Sequence, residues 1–328
     1  MEPFRTSIQI TPSEHKLTYE NSAMFMGSCF TENIGNLLAE FKMPVDVNPF
    51  GIIYNPVSVK NSIDILLRKK FFTTSDLHFL NEQWFSFYHH SRFSNEDSDI
   101  CLKAINERIQ RSSGFIKEAE FLFITFGTAR VYRYNKTGEI VSNCHKIPAG
   151  EFTEILLSAE DIVNEFTPLI QQLQKINKKI NIIFTVSPIR HWKDGAEDNM
   201  LSKAILIVSV HKLMSALKQI YYFPSFEIMM DDLRDYRFYE EDMLHPNPVA
   251  LKYIRKKFSE TFFDEPTLLL QKEIEKIIKA RLHKPFNSGS ENHAGFIKKN
   301  IALIESLESK YPFLNFKEEK EYFVIGNR

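Results

Sequence analysis

The sequence predicts an α/β fold with a mostly parallel sheet covered by helices on both faces. Three observations predict it. The runs Ala23–Met26, Phe121–Phe126 and Ile182–Val186 are apolar without alternation, as strands buried on both faces are. Stretches with apolar residues at helical spacing separate them. Strand and helix signals alternate along the chain, as crossover connections require.

Gly27 ends the first run, and Ile34, Leu37, Leu38 and Phe41 then fall at i, i+3, i+4 and i+7 of a helix. Val45 and Val47 lead into the turn-rich Asn48–Gly51. Val59, Ile63, Leu66 and Leu67 mark a second helix. Aromatics flank Asn81-Glu82 in a hairpin within 77–93. A polar helix covers about 97–117, and Phe121–Phe126 stops at Gly127. Val131–Tyr134 and Glu139–Ser142 form a hairpin around Asn135–Gly138. A helix over 158–176 precedes Ile182–Val186, which Ser187-Pro188 ends. A long helix is expected over 199–220, a last strand at Ser225–Met229 and a helix over 247–263. The tail carries two further helices, Leu268–Leu282 and Phe296–Leu307, joined by the polar stretch Asn287–Asn292. This divides the chain into an α/β domain over 1–264 and a helical extension over 265–328.

The 328 residues are 43% apolar and 25% charged, an ordinary globular balance. The 29 Phe and 12 Tyr are far more apolar area than a disordered chain carries. The 41 Lys and Arg against 42 Asp and Glu provide no net basic field for nucleic acid or an anionic membrane. The cysteines Cys29, Cys101 and Cys144 are odd in number and widely spaced, which fits a reducing compartment and not a disulfide framework. The first residues lack a signal-peptide apolar core, and no apolar run approaches the ~18–20 residues of a membrane span. The expectation is a soluble, cytoplasmic protein. A dinucleotide fingerprint, a Walker loop and a Gly-x-Ser-x-Gly elbow are all missing from the sequence. Cys144-His145 has no second ligand pair, so no metal and no cofactor are expected.

Ligands of open parallel sheets bind beyond the carboxyl ends of the strands. Gly27–Phe30, Asn48–Gly51 and Gly127-Thr128 lie there, and a later loop carries Asp242 and His245. A Ser or Cys at a strand-to-helix turn can use helix N-terminal N–H groups to stabilise a thiolate or an oxyanion. Asp242 and His245 have the spacing for a carboxylate that orients an imidazole base, and equally that of a surface loop.

Met24–Ile34 reads MFMGSCFTENI. Together with Gly127-Thr128-Ala129, Asn143-Cys144-His145 and Ser187–Trp192, it closely resembles the GSCFA domain family over roughly residues 20–255. That family resembles a branch of the SGNH (GDSL-like) hydrolases. The resemblance implies a three-layer α/β/α sandwich with a central, mostly parallel five-stranded sheet. It also implies acyl-ester hydrolysis through an acyl-enzyme, on an acylated small molecule or glycan. An acyltransferase using the same intermediate, and a non-catalytic ligand-binding module, are the alternatives. Aligned with the Gly-Asp-Ser block, Ser28 falls on the Asp and Cys29 on the nucleophile. Matching Ser to Ser would choose Ser28 instead, which could otherwise cap the helix. The same blocks make His245 the base and Asp242 its orienter. Gly51 becomes an oxyanion donor or a turn glycine with positive φ. The slot usually held by an oxyanion Asn is Ala129, so Thr128 could donate instead, or Asn143 or His145 could enter from the hairpin. Asn48, Arg190 and His191 would bind substrate, unless Arg190 is a surface partner of Asp194 or Glu197. The helical tail covers its own domain or makes a homo-oligomer.

Overall fold

The computed structural model describes residues 6–283, 286–287 and 290–325. β1 (Ala23–Gly27) runs straight into α1 (Cys29–Glu40), and β2 (Val45–Val47) follows. α2 (Pro56–Arg68) starts where the Asn55 side chain accepts from the Ser58 N–H and Pro56 takes the first turn, a position that needs no N–H. The hairpin β3 (His78–Leu80) and β4 (Gln83–Phe85) turns through Asn81 and Glu82, both at positive φ. α3 (Ser98–Glu118) leads to β5 (Phe121–Phe126). An antiparallel layer of β6 (Arg130–Tyr134), β7 (Ile140–Val141) and β8 (Phe152–Leu156) comes next. α4 (Ala159–Ile176), opened by a Ser158–Asp161 capping box, returns the chain to β9 (Asn181–Val186). α5 (Ala196–Ala216), β10 (Ile220–Tyr222) and the short α6 (Ser225–Glu227) follow. α7 (Pro248–Phe262), α8 (Glu265–Leu282), α9 (Glu291–Lys310) and α10 (Lys317–Ile325) complete the chain.

The central sheet has five parallel strands in the order β10-β9-β5-β1-β2. Side chains alternate across each strand and so divide the interior into two cores. Met24, Met26, Leu122, Ile124, Ile182 and Phe184 face α2, α3, α4 and α5. Ala23, Phe25, Phe121, Phe123 and Ile183 face α1, α7 and the tail helices. The result is three layers. The tail is continuous with the second core: Leu270, Ile274, Ile297, Ile304 and Phe323 belong to the same cluster as Phe25 and Phe30. Lys42 pairs with the buried Glu319 at 2.7 Å across that contact. A third cluster, with Phe85, Phe87, Tyr134, Val141 and Phe152, holds the hairpin against the antiparallel layer.

Two expectations are corrected. Ser225–Met229 is not a strand: it is α6 continued by a π-helical turn, Ile228–Asp232. Phe226 serves the first core, while Ile228 and Met229 serve the second, a helical spacing. The last strand is Ile220–Tyr222, because α5 ends at Ala216 and Gln219 at φ 58° turns the chain back. β8 and α10 are additions, and part of the expected Asn287–Asn292 connection lies outside the described residues.

The chain leaves β1 for one edge through β2 and leaves β5 for the other through β9, so the strand order reverses between β1 and β5. That reversal opens the crevice where such sheets bind ligands. Gly27 closes its floor. Its φ is 131°, and a Cβ there would lie 2.2 Å from the Thr125 carbonyl oxygen. Gly27→Ala is therefore expected to lower the unfolding free energy by about 3 kcal/mol or more, combining backbone strain with displacement of β5. Urea denaturation checks this, and an unchanged midpoint would mean that β5 yields at no cost.

Candidate active site

The site grows from the end of β1. The Gly27 N–H donates to Asn48 Oδ1 at 2.9 Å, and the Ser28 N–H donates to the Thr125 carbonyl at 3.3 Å. Ser28 has extended backbone, and its carbonyl accepts the Glu32 N–H. It is thus the N-cap by backbone alone: its hydroxyl is buried and has no partner among the described residues. Cys29 is the first helical residue and is half-buried. Burial pushes its thiol pKa up, the adjacent N–H groups of Phe30 and Cys29 pull it down, Glu32 pushes it up and Lys203 pulls it down; the net direction is up.

Glu32, one turn along the same helix, pairs with Arg92 Nη1 at 3.0 Å and accepts from Asn48 Nδ2 at 3.4 Å. Arg92 also donates to the Asn48 carbonyl. Tyr54 reaches over the end of β5, its carbonyl accepting the N–H groups of Gly127 (2.7 Å) and Thr128 (3.2 Å). Its hydroxyl has no hydrogen-bond partner among the described residues. Burial, then Cys29 and Glu32, raise its pKa. The His191 ring meets Tyr54 edge-on at 5.3 Å.

α5 supplies the other wall from the buried face of its first two turns. Asn199 Oδ1 accepts the His191 N–H at 2.9 Å. Ser202 Oγ accepts the Ala129 N–H at 2.7 Å and lies 3.1 Å from Thr128 Oγ1. Lys203 is 1% exposed, and its Nζ donates to the carbonyls of Gly127 (2.7 Å) and Ser187 (2.9 Å), just past the ends of β5 and β9. Burial pushes its pKa down to about 7, and Cys29 pulls it the other way.

Asp242 and His245 are both exposed and form a pair, Oδ2 to Nδ1 at 2.5 Å. Asp242 Oδ1 also accepts the N–H groups of Leu244 and His245, each at 2.9 Å. The backbone bond from His245, then its side chain and the Leu244 N–H, hold the Asp242 carboxyl down at about 2. An ionised carboxylate only accepts, so Nδ1 carries the proton and Nε2 is the free acceptor. Among the described residues no hydrogen bond joins His245 to Cys29 or Ser28. Arg190 links the loop to the one after β9, donating to the Met243 carbonyl at 3.1 Å and lying over the rings of Trp192 and Tyr239.

Several expected site residues do other work. The Gly51 N–H donates to the Asn48 carbonyl at 2.8 Å with φ 80°, so Gly51 is a turn glycine whose N–H is engaged. The Thr128 hydroxyl is engaged by Ser202 and by the Arg130 N–H. Asn48 is buried, with both ends of its amide engaged by protein. Asn143 accepts the His145 N–H. His145 stacks on Phe85 at 4.3 Å and donates to the carbonyls of Ser86 and His89, which ties it to the small antiparallel layer instead of the cleft. Asp194 pairs with Arg130, not with Arg190. Sequence reasoning missed Glu32, Tyr54, Arg92 and Lys203. Lys203 had a legible signal: it shares the buried stripe of α5 with Leu206, Val210 and Leu213. Among the described residues no three His, Cys, Asp or Glu side chains group as a metal site, and no helix is long and apolar enough to cross a membrane.

Residues 22–258 match the model of the GSCFA family. The chain belongs to the GSCFA family. Residues 274–325 of this GSCFA protein match a second model, the C-terminal domain of GSCFA domain proteins. No curated protein matches the chain. Solved structures that are distantly similar include these two. One is a Streptococcus pneumonia protein provisionally described as a platelet activating factor, 13% identical over 76% of this chain and 84% of that one, with a TM-score of 0.36. The other is an acetyl xylan esterase from the rumen bacterium Butyrivibrio proteoclasticus, 10% identical over 74% of this chain, with a TM-score of 0.34; this chain spans 65% of its length.

Three histidines make the fold acid-sensitive. Burial holds His89 at about 3 and His145 and His191 at about 4. Unfolded, each binds its proton near pH 6.5. The unfolded state therefore holds more protons between pH 6.5 and about 4, so this stability is complete above 6.5 and is lost as pH falls through that window. Urea denaturation from pH 7.5 to 4.5 should show a slope approaching about 1.4 kcal/mol per pH unit for each histidine. His145→Gln, which keeps a donor for the two carbonyls, should remove about a third of that slope.

Proposed function

We propose that this GSCFA protein is an acyl-ester hydrolase of the SGNH type that works through a thioester on Cys29. The observation that carries the reading is the placement of Cys29. Its thiol lies at the first turn of α1, against N–H groups that no backbone carbonyl engages, at the point where the strand order reverses. Ser28, buried and one residue earlier in extended backbone, is the lesser candidate.

In the first half-reaction Cys29 Sγ bonds to the ester carbonyl carbon, and the carbonyl electron pair moves to oxygen. The C–O ester bond then breaks, and the alkoxide leaves with a proton from His245, which had taken that of the thiol. Water next attacks the thioester, with His245 again as base. This releases the acid and restores the thiol. Asp242 fixes the tautomer that leaves Nε2 free. Catalytic hydrogen bonds of empty sites commonly tighten only with substrate bound. The segment 240–245, whose ends are joined by the Tyr239–Pro246 bridge, brings His245 inward at that stage. The oxyanion is met by the N–H groups of Cys29 and Phe30, and the Tyr54 hydroxyl takes the place of the donor that Ala129 cannot supply. Trp192 and Tyr239 beside Arg190 suit an acylated sugar or an acidic acyl ester.

The missing His245–Cys29 hydrogen bond is also what a non-catalytic binding module would show. Brief treatment with an activated acetyl ester, followed by peptide mass spectrometry, separates the readings. One acetyl group is expected on Cys29, lost in Cys29→Ala and in His245→Ala and retained in Ser28→Ala. Label scattered over lysines and all three cysteines, with no dependence on His245, would favour the binding module. Tyr54→Phe should lower kcat on the same ester about 10²-fold with little change in stability, the usual cost of one oxyanion donor. A wild-type kcat would remove Tyr54 from the site.

A further inference from the structure

α7 and α8 are consecutive helices that do not close fully on each other. Between them, and against the segment that follows α6, lies a cavity of about 560 Å³. That is the size of a small-molecule site. Leu233, Phe238, Val249, Tyr253 and Leu268 give it apolar walls. Cys29, Tyr54, Arg190 and His245 are not among the residues that line it, so it is separate from the crevice at the end of β1.

Its charge is one-sided. Arg255 lines it together with Lys252, Lys256 and Lys272, against the single carboxylate of Glu275. The lysines are exposed, whereas Arg255 is half-buried, its guanidinium 4.6 Å from the centre of the Phe41 ring. Burial lowers the Arg255 pKa, with Glu275 and then Glu40 acting the other way. Both carboxylates are committed elsewhere, Glu275 to Lys279 at 3.1 Å and Glu40 to Arg281 at 3.6 Å. Lys256 pairs with Glu260 at 3.7 Å. Among the described residues the side chains of Arg255, Lys252 and Lys272 have neither an ion pair nor a hydrogen bond. A guanidinium is always charged and all its N–H groups are donors. Withdrawing it from water without an acceptor costs stability, and a Leu or Met would cover Phe41 without that cost.

We propose that the cavity between α7 and α8 binds an amphiphile with one carboxylate head and an apolar body, the carboxylate meeting the Arg255 guanidinium. The planar fork of Arg matches a carboxylate with two parallel hydrogen bonds. The exposed lysines draw the anion in, and the apolar walls take its body. A neutral ligand would leave the donors of Arg255 unmet, and a small anion would leave the walls wet. The proposal does not depend on the chemistry at Cys29.

Calorimetric titration of the whole chain with decanoate, decanol and acetate tests it. Decanoate should bind one to one and about tenfold or more tighter than either of the others, because it alone satisfies both the guanidinium and the walls. Arg255→Met should weaken decanoate about tenfold or more, the usual effect of losing a charged hydrogen bond, and leave decanol unchanged. Lys252→Glu combined with Lys272→Glu changes exposed positions only, and so tests the charge even if Arg255→Met fails to fold. It too should weaken decanoate severalfold, an effect that shrinks as salt is added. Decanol binding as tightly as decanoate would make the cavity an apolar groove, and acetate binding as tightly would make it a plain anion site; either result overturns the proposal. So does decanoate binding that is unmoved in these variants, because the acid is then held elsewhere, as in the crevice from which a hydrolase would release it. Decanoate binding that needs Arg255, in a protein that takes no acetyl label on Cys29, would support the proposal and remove the hydrolase reading alone.

Discussion

The site depends on the contact between Gly27 and Thr125. β1 and β5 pair in register there, and the Gly27 backbone comes so close to the Thr125 carbonyl that no side chain fits between them. The positive φ of Gly27 turns the chain out of the sheet, and the Ser28 N–H then donates to the same carbonyl. One oxygen atom thus fixes where α1 begins. Asn48 locks the corner from the other side through the Gly27 N–H. Cys29 inherits its position from these three contacts, because α1 admits little freedom once its first turn is set.

α5 does for the other side of the crevice what Gly27 does for this one. Asn199, Ser202 and Lys203 are buried polar residues on a helix that otherwise packs Leu206, Val210 and Leu213 into the core. Each would cost stability if left unpaired. Each instead bonds the backbone of a loop that follows a strand: His191, Ala129, and Gly127 with Ser187. These loops lack regular hydrogen bonding of their own, so the helix supplies what the sheet no longer can. The same bonds fix the Lys203 Nζ at the ends of β5 and β9.

The scaffold was legible because its signals are local. Continuous apolar runs gave β1, β5 and β9, and Asn81-Glu82 gave the first hairpin. β10 was misplaced because Ile220–Tyr222 is short and follows an apolar helix without a break, while Phe226, Ile228 and Met229 are apolar at a spacing that a short strand and a helix share. The Asp242–His245 contact follows from a three-residue spacing, and Cys29 stands out only by alignment with the family motif. The polar groups of Gly51, Asn48 and Thr128 are engaged by backbone and neighbours that no spacing reveals. Tyr54, Arg92 and Lys203 reach the site from three separate segments of chain, and tertiary approach leaves no local mark.

The chemistry of the site turns on a competition that burial sharpens on both sides. Withdrawing Cys29 from water disfavours its thiolate and raises its pKa. The same low dielectric strengthens every N–H and charge that acts on the sulfur. A thiol at an open helix end would ionise with less opposition but would feel the helix N-terminus through a screen of water. In this half-buried position a substrate that covers the crevice removes still more water, so its arrival strengthens the attraction of the helix N–H groups along with the repulsion of Glu32. Arg92 holds Glu32 at 3.0 Å, yet Glu32 still acts against the thiolate, so the N–H groups at the start of α1 are what chiefly favour ionisation of the sulfur.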